Sequence, residues 1–182
     1  VTEAAATRSK LVFDAMILNH FARAERLDVL ADLLLDHDCL TTEVVREELR
    51  QGTAVHPVIA DALDLEWLDV VPLDSIEALT GFAAWVDRIG SGTRDRGEAS
   101  VFAAAELLRA VAISDDQDAV RVARHHGVEV HGTLWLLANA CLDGKLTEAA
   151  AGNLIDLLAH HGMRLPCTGA GFGGWTRQRG LR

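Results

Sequence analysis

The apolar runs of this chain are short, mostly unbroken, and separated by stretches of helical period. "LVF" (11–13), "CLTT" (39–42), "VAIS" (111–114) and "VEV" (128–130) are strand candidates, and "LEWLDVV" (65–71) is another, ended by Pro72. Strands covered on both faces read this way, and strands alternating with helices build a parallel sheet. The intervening segments have the helical spacing this requires. "DAMILNHFARAERLDVLADLLLDHD" places Ile17, Phe21, Leu27, Leu30 and Leu34 on one stripe. "TEVVREELR" opens on Thr42 as a plausible N-cap, Pro57 starts a further helical piece, and residues 74–89 are periodic. "EASVFAAAELLRA", "DQDAVRVARHHG", "TLWLLANACLDG" and "TEAAAGNLIDLLAHHG" read as helices, the last three closed by glycine. "GSGTRDRG" (90–97) is a loop by its glycines. After Pro166, "CTGAGFGGWTRQRGLR" is glycine-rich and basic. That composition predicts a domain over residues 1–165 and a flexible tail over 166–182.

A length of 182 residues suits one domain with a real core. The formal net charge of −10 argues against binding nucleic acid over a broad basic face, but leaves room for a site where metal neutralises the acids. No run approaches the roughly eighteen apolar residues of a membrane helix. The opening "VTEAAATRSK" does not read as a secretory signal. Cys39, Cys141 and Cys167 are odd in number and widely spaced, as reduced thiols are. The expected setting is cytoplasmic.

In a parallel α/β sheet, ligands gather outside the carboxyl ends of the strands. Asp14 directly follows "LVF", and Ser114, Asp115 and Asp116 follow "VAI". Helical phase, about 100° per residue, sorts the remaining acids. In "EVVREEL" the apolar direction is set by Val44, Val45 and Leu49; Glu48 lies within roughly 45° of it and Glu47 points away. Glu98 shares the stripe of Val101, Phe102, Ala105 and Leu108. Asp116 shares that of Ala119, Val120 and Ala123, whereas Asp115 lies roughly 70° off it and reads as the cap of that helix. Taken singly, each acid has a structural reading as a cap or a helix N-terminal charge. Taken together, four inward carboxylates would repel one another, which a hard divalent cation relieves. Mg²⁺ or Mn²⁺ prefers such oxygens and supports hydrolysis of phosphodiesters.

"LVFDAMILNHFARAERLDVL", "VVREEL", "RGEASVFAAAE", "AISDDQDAVRVARHHGVEVHGTLWLLANACLDGKL" and "GMRL" follow the order and spacing of PIN-domain proteins. Over roughly residues 10–165 the chain most resembles the branch containing toxin-type ribonucleases of bacterial type II toxin–antitoxin pairs. The resemblance implies a three-layer α/β sandwich, with a five-stranded parallel sheet flanked by helices and a metal-dependent endoribonuclease site at its end. It carries the family's acids onto Asp14, Glu48, Glu98 and Asp116, with Asp14, Glu98, Asp116 and Asp115 as metal ligands. It places Ser114, a candidate RNA contact, where the family has a small hydroxyl residue close to that site. The implied cofactor is Mg²⁺ or Mn²⁺. The implied partners are an RNA substrate, an antitoxin protein and a second copy of the chain in a homodimer, with no membrane. Met16 departs from the small polar residue common two positions after the first aspartate, and the 90–97 loop is longer and more basic than the family's.

Arg94 and Arg96 flank the acids and could grip RNA phosphates; solvated loop charges are the competing reading. His125–His126 and His160–His161 lack metal-ligand spacing. Trp67, Trp85 and Trp135 read as core or interface filling, while Trp175 stands among arginines, where it could stack on RNA or dock a partner. Two rivals to the nuclease remain. One is a PIN-fold binding module without turnover, favoured by Met16. The other is an acidic-pocket phosphohydrolase, disfavoured because no nucleophile motif of the DxDx(T/V) type follows the first strand.

Overall fold

The computed structural model describes residues 8–90 and 95–181. Five strands form one sheet: β1 (Ser9–Phe13), β2 (His37–Thr42), β3 (Leu68–Val71), β4 (Val111–Ile113) and β5 (Val130–His131). Their spatial order is β3-β2-β1-β4-β5, and every neighbouring pair is parallel. This is the α/β arrangement that the alternating runs imply. Consecutive strand residues point to opposite faces, yet Leu11, Val12 and Phe13 are all fully buried. Both faces of β1 are therefore covered. The order reverses between β1 and β4, and the open end of the sheet at that reversal is where a doubly wound fold offers a crevice.

The first helical stripe is divided in two. Helix α1 (Ala15–Arg23) ends where Glu25 adopts φ 53°, and α2 (Leu27–Leu33) starts in a new direction. A left-handed residue cannot continue a helix, and Arg26 N–H turns back to the Phe21 carbonyl at 2.9 Å. Helix α3 (Glu43–Thr53) begins at Thr42, whose hydroxyl accepts from Val45 N–H at 3.2 Å. A 3₁₀ turn covers Pro57–Leu63. Helix α4 (Ile76–Ile89) is capped by Ser75 and lies against α5 (Arg96–Leu108). Then come α6 (Gln117–His125), α7 (Thr133–Leu142) and α8 (Glu148–His160).

The C-terminal segment corrects the expectation of a flexible tail. Residues Gly169–Gly171 make a 3₁₀ turn and Phe172–Gln178 form helix α9, both packed on α8. The Phe172 ring is fully buried, and Thr176 is closed over by its neighbours. Glycine here serves contact rather than freedom. Gly152 of α8 meets Gly169 backbone to backbone, so closely that a Cβ on Gly169 would overlap the Gly152 carbonyl oxygen. The Asp156 carboxylate fastens the crossing by accepting from Gly169 N–H at 2.7 Å.

Candidate acidic active site

β1 hands the chain to α1 through Asp14. Its N–H extends the sheet ladder to the Ile113 carbonyl at 3.0 Å, and its carboxylate accepts from Ala15 N–H at 2.7 Å. The residue is 1 % exposed. Burial pushes its carboxyl well above the usual range; the negative charges of Glu98 and then Glu48 push it further, against the Ala15 and Met16 amides that favour the ion. The Ser114 hydroxyl lies at hydrogen-bond range of Asp14 Oδ2, 3.4 Å, so β4 supplies a polar contact across the reversal point.

Helix α3 brings Glu48 inward and leaves Glu47 in solvent paired with Arg50 at 2.9 Å, as their phase requires. The Glu48 carboxyl is raised by partial burial, opposed by a hydrogen bond from the Gly97 amide; Asp95 raises it and Arg96 lowers it. Gly97 stands against that carboxylate so closely that any Cβ would collide with it. One position on, Glu98 is pushed up to about 7, first by burial and then, against its own backbone amide, by the charges of Glu48, Asp95 and Asp116. Asp14, Glu48, Glu98 and Asp116 thus share one electrostatic neighbourhood.

A buried hydroxyl network aligns the helices that carry these acids. Thr42 and Ser100 hydroxyls meet at 2.6 Å, and Ser100 also donates to the Gly97 carbonyl at 2.7 Å. Thr41 donates to the Phe13 carbonyl at 3.0 Å, next to Asp14. No sequence pattern singles out Gly97, Ser100, Thr41 or Asp95. "RGEAS" contains the relevant glycine and serine, but only a neighbouring helix shows why they are needed.

The two adjacent aspartates depart from the roles that phase suggests: Asp116, not Asp115, caps α6, and it does so while remaining beside Glu98. Asp116 is the N-cap of α6, with Oδ1 accepting from Asp118 and Ala119 N–H at 3.0 and 2.8 Å. Asp115 does not cap α6. Its oxygens accept from the Thr133 N–H at 3.1 and 3.2 Å and from its hydroxyl at 2.7 Å, tying it to the start of α7. Burial raises the Asp115 carboxyl and these Thr133 bonds oppose the rise. The structure does not bring Asp115 into the charge set of the other four acids. Arg96 is exposed, with its guanidinium 5.8 Å from the centroid of the Phe82 ring. Arg94 lies outside the described residues.

Buried carboxylates that raise one another's pKa are the donor chemistry a hard divalent cation stabilises. Among the described residues, however, no three His, Cys, Asp or Glu side chains are gathered closely enough to hold an ion as they stand. The donors suit the metal in type; binding would have to draw them together.

A parallel sheet with four carboxylates at its reversal point defines a class, an α/β protein whose crevice carries concentrated negative charge. The PIN-domain family model matches residues 10–168, and the chain belongs to that family. PIN domains are a nuclease fold, and PIN nucleases usually use divalent metals. No curated protein matches the chain significantly. Among the described residues no helix is long and apolar enough to cross a membrane.

Proposed function

We propose that the chain is a Mg²⁺- or Mn²⁺-dependent endoribonuclease that hydrolyses RNA phosphodiester bonds, and that it serves as the toxin of a toxin–antitoxin pair. The observation that carries the reading is the fully buried Asp14 carboxylate, with Glu98 and Glu48 as the charges that weigh on it. Asp14, Glu98 and Asp116 are the metal-holding residues on this reading, with Glu48 beside them. The ion supplies Lewis acidity at the phosphate and lowers the pKa of an attacking water. The chain's own groups orient the set: Ser114 holds Asp14, the Gly97 amide holds Glu48, and the Thr42–Ser100 contact fixes α3 against α5. Arg96 stands near Glu48 to meet a phosphate oxygen. An antitoxin would silence such a site by inserting a basic side chain among the acids. Ile76 and Leu79 expose apolar surface on α4 for a second copy of the chain.

Incubating a mixed RNA pool with the protein and Mn²⁺, with and without chelator, tests the activity. Cleavage that needs free metal and vanishes in Asp14→Asn supports the reading. RNA left intact by the folded wild-type protein under both conditions favours the binding module instead, for which half-buried Met16, two residues after Asp14, is the sequence argument.

A further inference from the structure

A second concavity adjoins the acids and shares a wall with them. It occupies about 480 Å³ beyond the ends of β4 and β5, within the roughly 300–1,000 Å³ of ordinary ligand sites. Ser114 belongs to both places: it lines this cavity and its hydroxyl reaches Asp14 Oδ2 at 3.4 Å. The other walls are of different chemistry. Arg124 projects from α6, Arg164 lies in the loop that follows α8, and Arg179 follows α9. Among the described residues none of these three arginines has a carboxylate partner within 4.0 Å. The one acid in the lining, Asp115, is spent on Thr133. The lining thus carries three arginines against one acid, with Arg124 also donating to the Val130 carbonyl at 2.7 Å.

Flat aromatic surfaces accompany the charges. The His131 and Trp135 rings are parallel, 4.1 Å between centroids and 8° apart, and Glu129 anchors the imidazole at 2.9 Å. The Trp175 ring also lines the cavity, with the Arg179 guanidinium 4.4 Å over it and the Phe172 ring stacked at 6.5 Å and 15°. The Trp175 indole N–H is buried and has no acceptor among the described residues. Guanidinium groups bind phosphate in a forked geometry, and aromatic faces take nucleobases without demanding a sequence. An acidic peptide would use the arginines but leave the stacked faces idle.

We propose that this cavity is a nucleotide subsite, holding one base and its phosphate of a single-stranded RNA whose neighbouring linkage lies at the acids. The proposal rests on the nuclease reading for what happens to the strand, but binding at the subsite requires no turnover. Arg164 and Arg179 receive phosphate, Arg179 held in place over Trp175, and the base stacks on the His131–Trp135 pair. Folding of the C-terminal segment onto α8 assembles one side of the subsite.

The test uses the full chain in chelator, so that no cleavage intervenes, and fluorescein-labelled single-stranded RNA read by anisotropy. Arg164→Gln and Arg179→Gln, both at exposed positions, should each weaken binding about tenfold and flatten the salt dependence by the equivalent of one phosphate contact, with melting temperature unchanged. Asp14→Asn should bind at least as well as wild type. Adenosine monophosphate should displace the RNA at far lower concentration than inorganic phosphate. Unchanged affinity and salt slope in both arginine variants, with wild-type cleavage in Mn²⁺, would overturn the subsite and leave the nuclease reading standing. Loss of binding in the variants of a protein that cleaves nothing would support the subsite and sink the nuclease. Phosphate competing as well as the nucleotide would overturn the role of the aromatic faces. Variants impaired only for a protein partner would overturn the RNA assignment.

Discussion

Glu98→Gln should make the metal-free protein more stable at pH 8 and only slightly more stable at pH 5. The Glu98 carboxyl titrates near 7 in the fold against 4.5 for an ordinary glutamate. At about 1.4 kcal/mol per pH unit, that interval caps the cost of ionising it in the fold at about 3 kcal/mol. Its carboxyl is partly open to solvent, which screens the repulsion and reduces the figure to about 2 kcal/mol. That figure already nets the attraction of the α5 N-terminal amides for the charge, and it corresponds to roughly 4–8 °C of melting temperature for a chain of this size. The sign follows from proton uptake. Between pH 4.5 and 7 the folded state holds a proton that the unfolded chain has released, so wild-type stability falls as pH rises through that window and the full cost stands above it. Below it both states are protonated and the substitution has little left to relieve. Thermal melts in chelator at pH 5, 6, 7 and 8 measure this directly. A variant less stable than wild type at pH 8, or one with the same gain at pH 5 as at pH 8, would refute the argument that these acids repel one another.

Gly97→Ala should keep the fold, because the backbone there is ordinary helix, but push the Glu48 carboxylate aside and cut Mn²⁺-dependent cleavage at least tenfold; circular dichroism and an RNA-cleavage assay separate the two effects. Asp115→Ala should cost about 1–3 kcal/mol in urea unfolding, since it strands the Thr133 N–H and hydroxyl at the start of α7. Asp115→Asn should recover much of that by keeping one acceptor. Phe172→Ala should lower stability by about 3–5 kcal/mol, the cost of emptying a fully buried aromatic site, whereas a segment that did not pack would show no change.

Much of the fold is readable locally because it depends on residues a few positions apart. Unbroken strands such as Leu11–Phe13 announce burial on both faces, and Thr42 announces the start of α3 through its bond to Val45 N–H. The inward lean of Glu48 and the outward one of Glu47 follow from the period of a single helix. Phase fails at a helix boundary, where one residue's difference decides who caps. Asp116 caps α6, while Asp115 finds Thr133, eighteen positions on, in an element that no pattern within the first helix specifies. The break at Glu25 is equally a matter of where the chain must turn to pack, since the spacing through Leu34 runs on without a glycine or proline. Composition also misleads in the C-terminal segment, where glycines that suggest freedom allow the close crossing of Gly152 and Gly169. The candidate carboxylates Asp14, Glu48, Glu98 and Asp116 are thus legible in the sequence, two by following strands and two by helical phase. Their mutual repulsion, and the arginine-lined cavity beside them, arise only when the sheet reverses between β1 and β4 and the C-terminal segment folds back, because both depend on groups that meet across distant parts of the chain.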